Sequence, residues 1–157
     1  MNKFKLYIVL ILLVIFSSCG FKIENNSKLS NFGISEIEGE GDPRINYKLK
    51  NGLSFITSRD SEQLLDLKIK TNKSKTIKEK NIKNEITKYK IDISVDVIFN
   101  KVGSAKQKSF TISRSSSYDV ATQYSQTLTN EKREIEMLTD EITKDIFDKL
   151  IREVNDL

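Results

Sequence analysis

Between Tyr89 and Phe99 every odd position is apolar: Tyr89, Ile91, Ile93, Val95, Val97 and Phe99. Lys88, Lys90, Asp92, Ser94 and Asp96 hold the even positions beside them. Successive side chains of a strand point to opposite faces, so this alternation predicts a strand with one packed and one wet face, over 86–99. That is long against a usual strand of about five or six residues. Asn100 to Ser104, with Gly103, reads as a turn. Phe110 and Ile112 then alternate with Ser109, Thr111 and Ser113, which predicts an antiparallel return strand over 106–115. Leu65, Leu67 and Ile69 alternate with Asp66, Lys68 and Lys70 as a third half-buried strand. Phe32 to Glu38 is a fourth candidate, with Ile34 and Ile37 out of strict alternation and a break at Gly39 to Gly41.

The period changes elsewhere. Asp42-Pro43 offers a side-chain acceptor at an N-cap and a proline in the first turn. Ile45, Leu49, Leu53 and Ile56 follow at helical spacing. Gly52 interrupts that face at a cost of about 1 kcal/mol against alanine. A strand at 45–49 with a turn at Asn51-Gly52 competes; the cap and the longer register favour the helix. Near the C-terminus Ile135, Leu138, Ile142, Ile146, Leu150 and Val154 form one stripe, widened by Phe147 and Ile151. Thr129 and Asn130 are its candidate N-caps. Glu131 and Glu134 suit the positive end of the dipole, Lys149 and Arg152 the negative end. The stripe spans under four heptads without a clean a/d pattern, so it reads as core-facing and not as a coiled-coil seam. The order strand, helix, three strands, helix predicts an α+β domain: a four-stranded, antiparallel-rich sheet with two helices packed on one face. The lysine-rich stretch before Tyr89 keeps only Ile77 and Ile82 as large apolar residues, and reads as either a long exposed hairpin tip or a flexible loop.

The first residues follow neither period. Lys3 and Lys5 precede the uncharged run Leu6 to Phe16, and Ser17-Ser18-Cys19-Gly20 follows. The run suits a signal-peptide core and falls short of the roughly 20 apolar residues of a membrane span. Cys19 is the single cysteine, so no intramolecular disulfide is available. A thiol at this place resembles the lipobox of bacterial lipoproteins, in which the cysteine is acylated and becomes the new N-terminus. The expected organisation is a signal peptide over 1–18, a lipidated N-terminus and tether over 19–30, and a domain over 31–157. Several acyl chains at about 0.8 kcal/mol per buried CH₂ make a lasting anchor. Gly20, where aspartate tends to retain such proteins in the inner membrane, favours the outer membrane and its periplasmic face.

Composition narrows the chemistry. The chain has no histidine, which removes the commonest general base and metal ligand. With Cys19 committed to lipid, thiolate chemistry goes too. No glycine-rich phosphate loop, nucleophile elbow or metal-ligand cluster occurs, so neither an enzyme nor a cofactor or metal is expected. Asp92 and Asp96 share one strand face and read as solvated. The net charge of +4 is unevenly spread: from residue 127 onward nine acids face five bases, whereas Lys68 to Lys90 holds nine lysines against Glu79 and Glu85. An export signal and the lack of aromatic stacking residues argue against nucleic acid as the partner of those lysines. Anionic lipid head groups fit a protein tethered to an envelope.

Three places together resemble one family. Cys19-Gly20-Phe21 opens the mature chain, Lys88-Tyr89-Lys90-Ile91-Asp92-Ile93-Ser94-Val95 forms the central strand, and Ser116-Ser117-Tyr118 through Tyr124-Ser125-Gln126-Thr127 leads into the last helix. This arrangement is similar to the lipopolysaccharide-assembly lipoproteins of the outer membrane (LptE). The resemblance implies a four-stranded sheet with two helices. It also implies a partner, the large LptD β-barrel that inserts lipopolysaccharide, which such a lipoprotein plugs and helps to assemble. It further implies glycolipid contact through basic residues near the hairpin before the central strand and in the strand after it, here Lys78, Lys80, Lys83 and Arg114. The alternative is a scaffold lipoprotein of another envelope transporter or barrel-assembly complex.

Overall fold

The computed structural model describes residues 32–57, 61 and 63–154. The expected signal peptide and tether, with Cys19, lie outside the described residues. The elements are β1 (Phe32–Gly41), α1 (Pro43–Ile56), β2 (Gln63–Lys80), β3 (Ile86–Lys101), β4 (Gln107–Asp119) and α2 (Tyr124–Val154). The sheet order is β1-β2-β3-β4. β2, β3 and β4 form an antiparallel meander, and β1 runs parallel to β2 because α1 carries the chain back between them. The expected α+β architecture is present.

Burial follows the predicted faces. Ile91, Ile93, Val95, Val97 and Phe99 of β3 and Leu65, Leu67 and Ile69 of β2 point into one core. Ile45, Leu49 and Leu53 of α1 meet them there, with Leu138, Ile142, Ile146, Leu150 and Val154 of α2. Asp42 caps α1 as its sequence promised: Oδ1 accepts from the N–H groups of Arg44 (3.0 Å) and Ile45 (3.2 Å). Helix therefore wins over strand at 45–49, and Gly52 sits at a helix crossing, where a Cβ would stand 2.8 Å from Thr143 Cγ2.

Three boundaries differ from the sequence expectation, those of β1, β4 and α2: β1 runs through the break expected at Gly39 to Gly41 and pairs there with Ile69 to Thr71. Of the two readings of the lysine-rich stretch, the long hairpin holds. The lysine-rich stretch is no flexible loop: β2 continues through it to Lys80 and pairs with β3 along its whole length. The connecting turn lacks glycine. Asn84 takes its left-handed place with φ 65°, and Asn81 Oδ1 accepts from the N–H groups of Lys83 (2.9 Å) and Glu85 (3.0 Å). β4 runs on to Asp119, beyond the 115 expected. α2 starts at Tyr124, five residues before Thr129, so neither candidate cap is one. Thr129 Oγ1 donates to Ser125 O inside the helix (3.0 Å), and Asn130 Nδ2 donates to Asp119 O at the end of β4 (3.2 Å). Buried Thr127 anchors the early turn, its Oγ1 accepting from the Ala121 N–H at 2.9 Å.

Candidate functional site

The β2–β3 hairpin gathers cations at the end of the molecule away from Phe32. β4 reaches only as far as Lys88, its last partner being Asp119, so the hairpin projects past it. Lys78 Nζ donates across the polar sheet face to Ser117 Oγ (3.0 Å), and Lys80 Nζ donates to Asn84 Oδ1 (2.9 Å). The Lys83 side chain has no partner among the described residues. Beside it Ile82 is fully exposed at the apex, at 103%. Lys88 is the compensated member, 3.3 Å from Glu79 and 3.6 Å from Asp119; the hydrogen bond with Glu79 raises its pKa. Lys78, Lys80 and Lys83 thus share one end of the fold and are not neutralised by carboxylates.

Arg114 lies elsewhere. It pairs with Ile93 on β3, which pairs with Lys73 on β2. Seven residues of β2 at about 3.3 Å each put Lys80 roughly 23 Å further along the sheet. Its guanidinium faces the helix layer and binds Asp145 of α2. The structure therefore groups three of the four expected residues and leaves Arg114 in an ion pair of its own.

A second polar cluster had no sequence signal. On the packed face of β2 the alternation continues past Ile69 as Thr71, Lys73 and Lys75. Lys73 Nζ is 2.7 Å from Asp42 and Lys75 Nζ is 2.6 Å from Glu131 of α2. Lys75 also stands over the Tyr89 ring at 4.3 Å. Tyr118 stacks on Tyr89 with centroids 5.7 Å apart, and its hydroxyl donates to Glu131 at 2.8 Å. Burial alone would push the Glu131 carboxyl up; the hydrogen bonds from Lys75 and Tyr118 outweigh it, and the net pKa is lowered. Burial raises the Tyr118 pKa. For Lys75 burial pulls downward, and the bond to Glu131 overrides it and raises the pKa. Each charge here has a partner, so the cluster clamps the first half of α2 onto the upper sheet. A lone lysine in a strand pattern reads as solvent-facing; only its distant acid, far along the chain, reveals the ion pair.

Of the acidic pair, Asp92 binds Lys90, and Asp96 accepts from Thr111 Oγ1 at 2.6 Å. No group of three or more acidic, histidine or cysteine side chains among the described residues is placed to hold a metal ion. No described helix is long and apolar enough to cross a membrane.

No family model matches the sequence, and no curated protein does. Solved structures do match. Rare lipoprotein B from Shewanella oneidensis superposes with a TM-score of 0.58 at 11% identity, over 77% of this chain and 98% of that one. This chain has the rare lipoprotein B fold. The same fold occurs in a lipoprotein from Caulobacter crescentus (TM-score 0.58, 18% identity, 83% and 95% of the two chains). It occurs again in lipoprotein B from Nitrosomonas europaea (0.57, 12%, 87% and 93%). At these identities the rare lipoprotein B likeness concerns architecture, held over nearly the whole length of each neighbour.

Proposed function

We propose that this protein is a lipid-anchored lipoprotein of the bacterial outer membrane that plugs and helps to assemble an LptD-like β-barrel and assists lipopolysaccharide insertion. The observation that carries the reading is the rare lipoprotein B fold, held over nearly all of each neighbour's length. The lipobox-like start at Cys19 supports it. Acylated there, the domain faces the periplasm, and its Ser- and Thr-rich sheet face meets the polar lumen of the barrel. Lys78, Lys80 and Lys83 at the projecting hairpin meet glycolipid phosphates, as point charges whose contacts weaken with salt. Arg114, bound to Asp145 and about 23 Å from Lys80 along the sheet, stays outside that contact.

A mild-detergent pull-down of the tagged full-length chain from its own envelope tests the partner. A lipopolysaccharide-inserting barrel in near-equal amount is the expected result. Another transporter or barrel-assembly set in its place would turn the reading to the scaffold alternative. The lysines are tested by changing all three to alanine. Lipopolysaccharide binding should fall and lose most of its salt dependence, and unchanged binding would remove the hairpin from the mechanism.

A further inference from the structure

The direction of the β2 peptide groups follows from one contact. The Val102 N–H donates to the Leu64 carbonyl at 2.9 Å, so Leu64 faces β3. In an antiparallel pair a residue sends N–H and C=O to the same side, and the side alternates along the strand. Even residues of β2 up to Thr76 therefore face β3, and odd residues face the other way. Thr71 agrees: its carbonyl oxygen lies against β1, 2.0 Å from where a Cβ on Gly41 would stand. Up to Thr71 the partner on that side is β1. Gly41 is the last residue of β1 to pair, and the chain then turns into α1. Beyond it Lys73, Lys75 and Ile77 present N–H and C=O to a side where no described strand lies.

Natural sheets guard such edges with bulges and with lysines held across them. Here the bulges lie above Ile77, between Ile77 and Glu79 and between Glu79 and Lys80. The two lysines of the open stretch are drawn inward to Asp42 and Glu131. From Lys73 to Ile77 the edge is regular and unguarded. It also borders a groove of about 610 Å³ between the first turns of α1 and the flank of α2, in whose wall Lys73 takes part. Ile45, Tyr47, Leu128 and Ile135 give the groove its apolar surface. The three acids that also line it are engaged, Asp42 by Lys73, Glu131 by Lys75 and Glu136 by Lys132 at 3.8 Å, whereas the Arg44 side chain on its rim has no partner among the described residues. Further up the edge Lys78 and Lys80 bond only neutral groups. A strand edge beside a helix-walled groove is the geometry by which proteins bind extended peptides: main-chain bonds give affinity, and pockets for alternate side chains give specificity.

We propose that this edge and groove receive an extended acidic segment of a partner protein, which adds as a strand in line with β1 and lays its apolar side chains over Leu128 and Ile135. The free edge of β4 offers no such apolar surface; Asp145, Asp148, Lys149 and Arg152 flank it. The proposal does not rest on the glycolipid reading.

The test uses the full-length chain in detergent and a labelled octapeptide alternating valine with glutamate. Amide NMR should show saturable shifts at Lys73, Lys75 and Ile77, with slowed hydrogen exchange there. Ile77→Pro removes an edge-facing N–H without touching the β3 ladder, and Leu128→Glu alters the groove alone. Each should weaken the peptide about tenfold while the circular dichroism spectrum is kept. A valine–lysine octapeptide should not bind. Shifts confined to β4, binding indifferent to both variants, or no binding of the acidic peptide would overturn the proposal.

Discussion

Gly52→Ala offers a test in which two ordinary rules oppose each other. Alanine is the better helix former, by about 1 kcal/mol at an interior position. At this crossing its Cβ would stand 2.8 Å from Thr143 Cγ2 and 3.5 Å from Thr143 Oγ1. Thr143 has little room to yield: it is buried, β-branched, and donates its hydroxyl to Thr139 O at 2.7 Å. Inserting a methyl into a packed contact costs about 1–3 kcal/mol, so the net effect is a loss of about 0–2 kcal/mol. Thr143→Ser keeps the hydroxyl bond and removes the clashing methyl, at a cost of about 1 kcal/mol on its own. In that background Gly52→Ala should turn stabilising by about 1 kcal/mol, a coupling of about 1–3 kcal/mol in a double-mutant cycle. Urea unfolding of a non-lipidated chain, followed by far-UV circular dichroism, measures all four corners. If Gly52→Ala alone raises stability by its full propensity gain, the two helices do not meet as closely as described, and the argument fails.

Acid should loosen the clamp on α2. Because the Glu131 carboxyl is held below its ordinary value of 4.5, its contribution is present above that pH and is lost as pH falls through the lowered value. Glu131→Gln should therefore flatten the acid limb of a stability–pH curve; an unchanged slope would count against the ion pair. Tyr118 acts at the other extreme. Its pKa is raised above 10.0, so its share persists below pH 10.0 and is lost as pH rises through the raised value. Spectrophotometric titration should show a tyrosine ionising late, and Tyr118→Phe should remove that phase. Cys19→Ser should release the chain from the membrane fraction in unprocessed or soluble form; continued membrane pelleting with acyl label elsewhere would refute the lipid site.

What the sequence revealed depended on whether burial was apolar. The odd positions of β3 and the stripe of α2 were plain because aliphatic side chains fill them. The first turn of α1 was plain because Asp42-Pro43 is a local device. The upper half of β2 was obscure because Lys73 and Lys75 occupy positions that would otherwise be aliphatic and are satisfied by acids remote in sequence. The end of β4 was hidden likewise, with Arg114 and Ser116 on its packed face bonding Asp145 and Glu134. The start of α2 was missed because Thr127 secures it through the Ala121 backbone, a bond with no periodic trace. Of the four basic candidates, Arg114 was grouped with the lysines through the family resemblance; facing direction separates it, and direction is set by register.

The parallel course of β1 has a consequence for reach. Phe32 pairs with Gln63 at one end of β2, and the lysine-bearing turn lies at the other. Eighteen residues at about 3.3 Å make that separation on the order of 60 Å. The 13 residues from Cys19 to Phe32 span at most about 45 Å when fully drawn out. The domain is thus a ruler longer than its leash. With an acyl anchor at Cys19, Lys83 would stand at least about 15 Å from the anchored cysteine, and anchorage and apex contact would be made at two separate places.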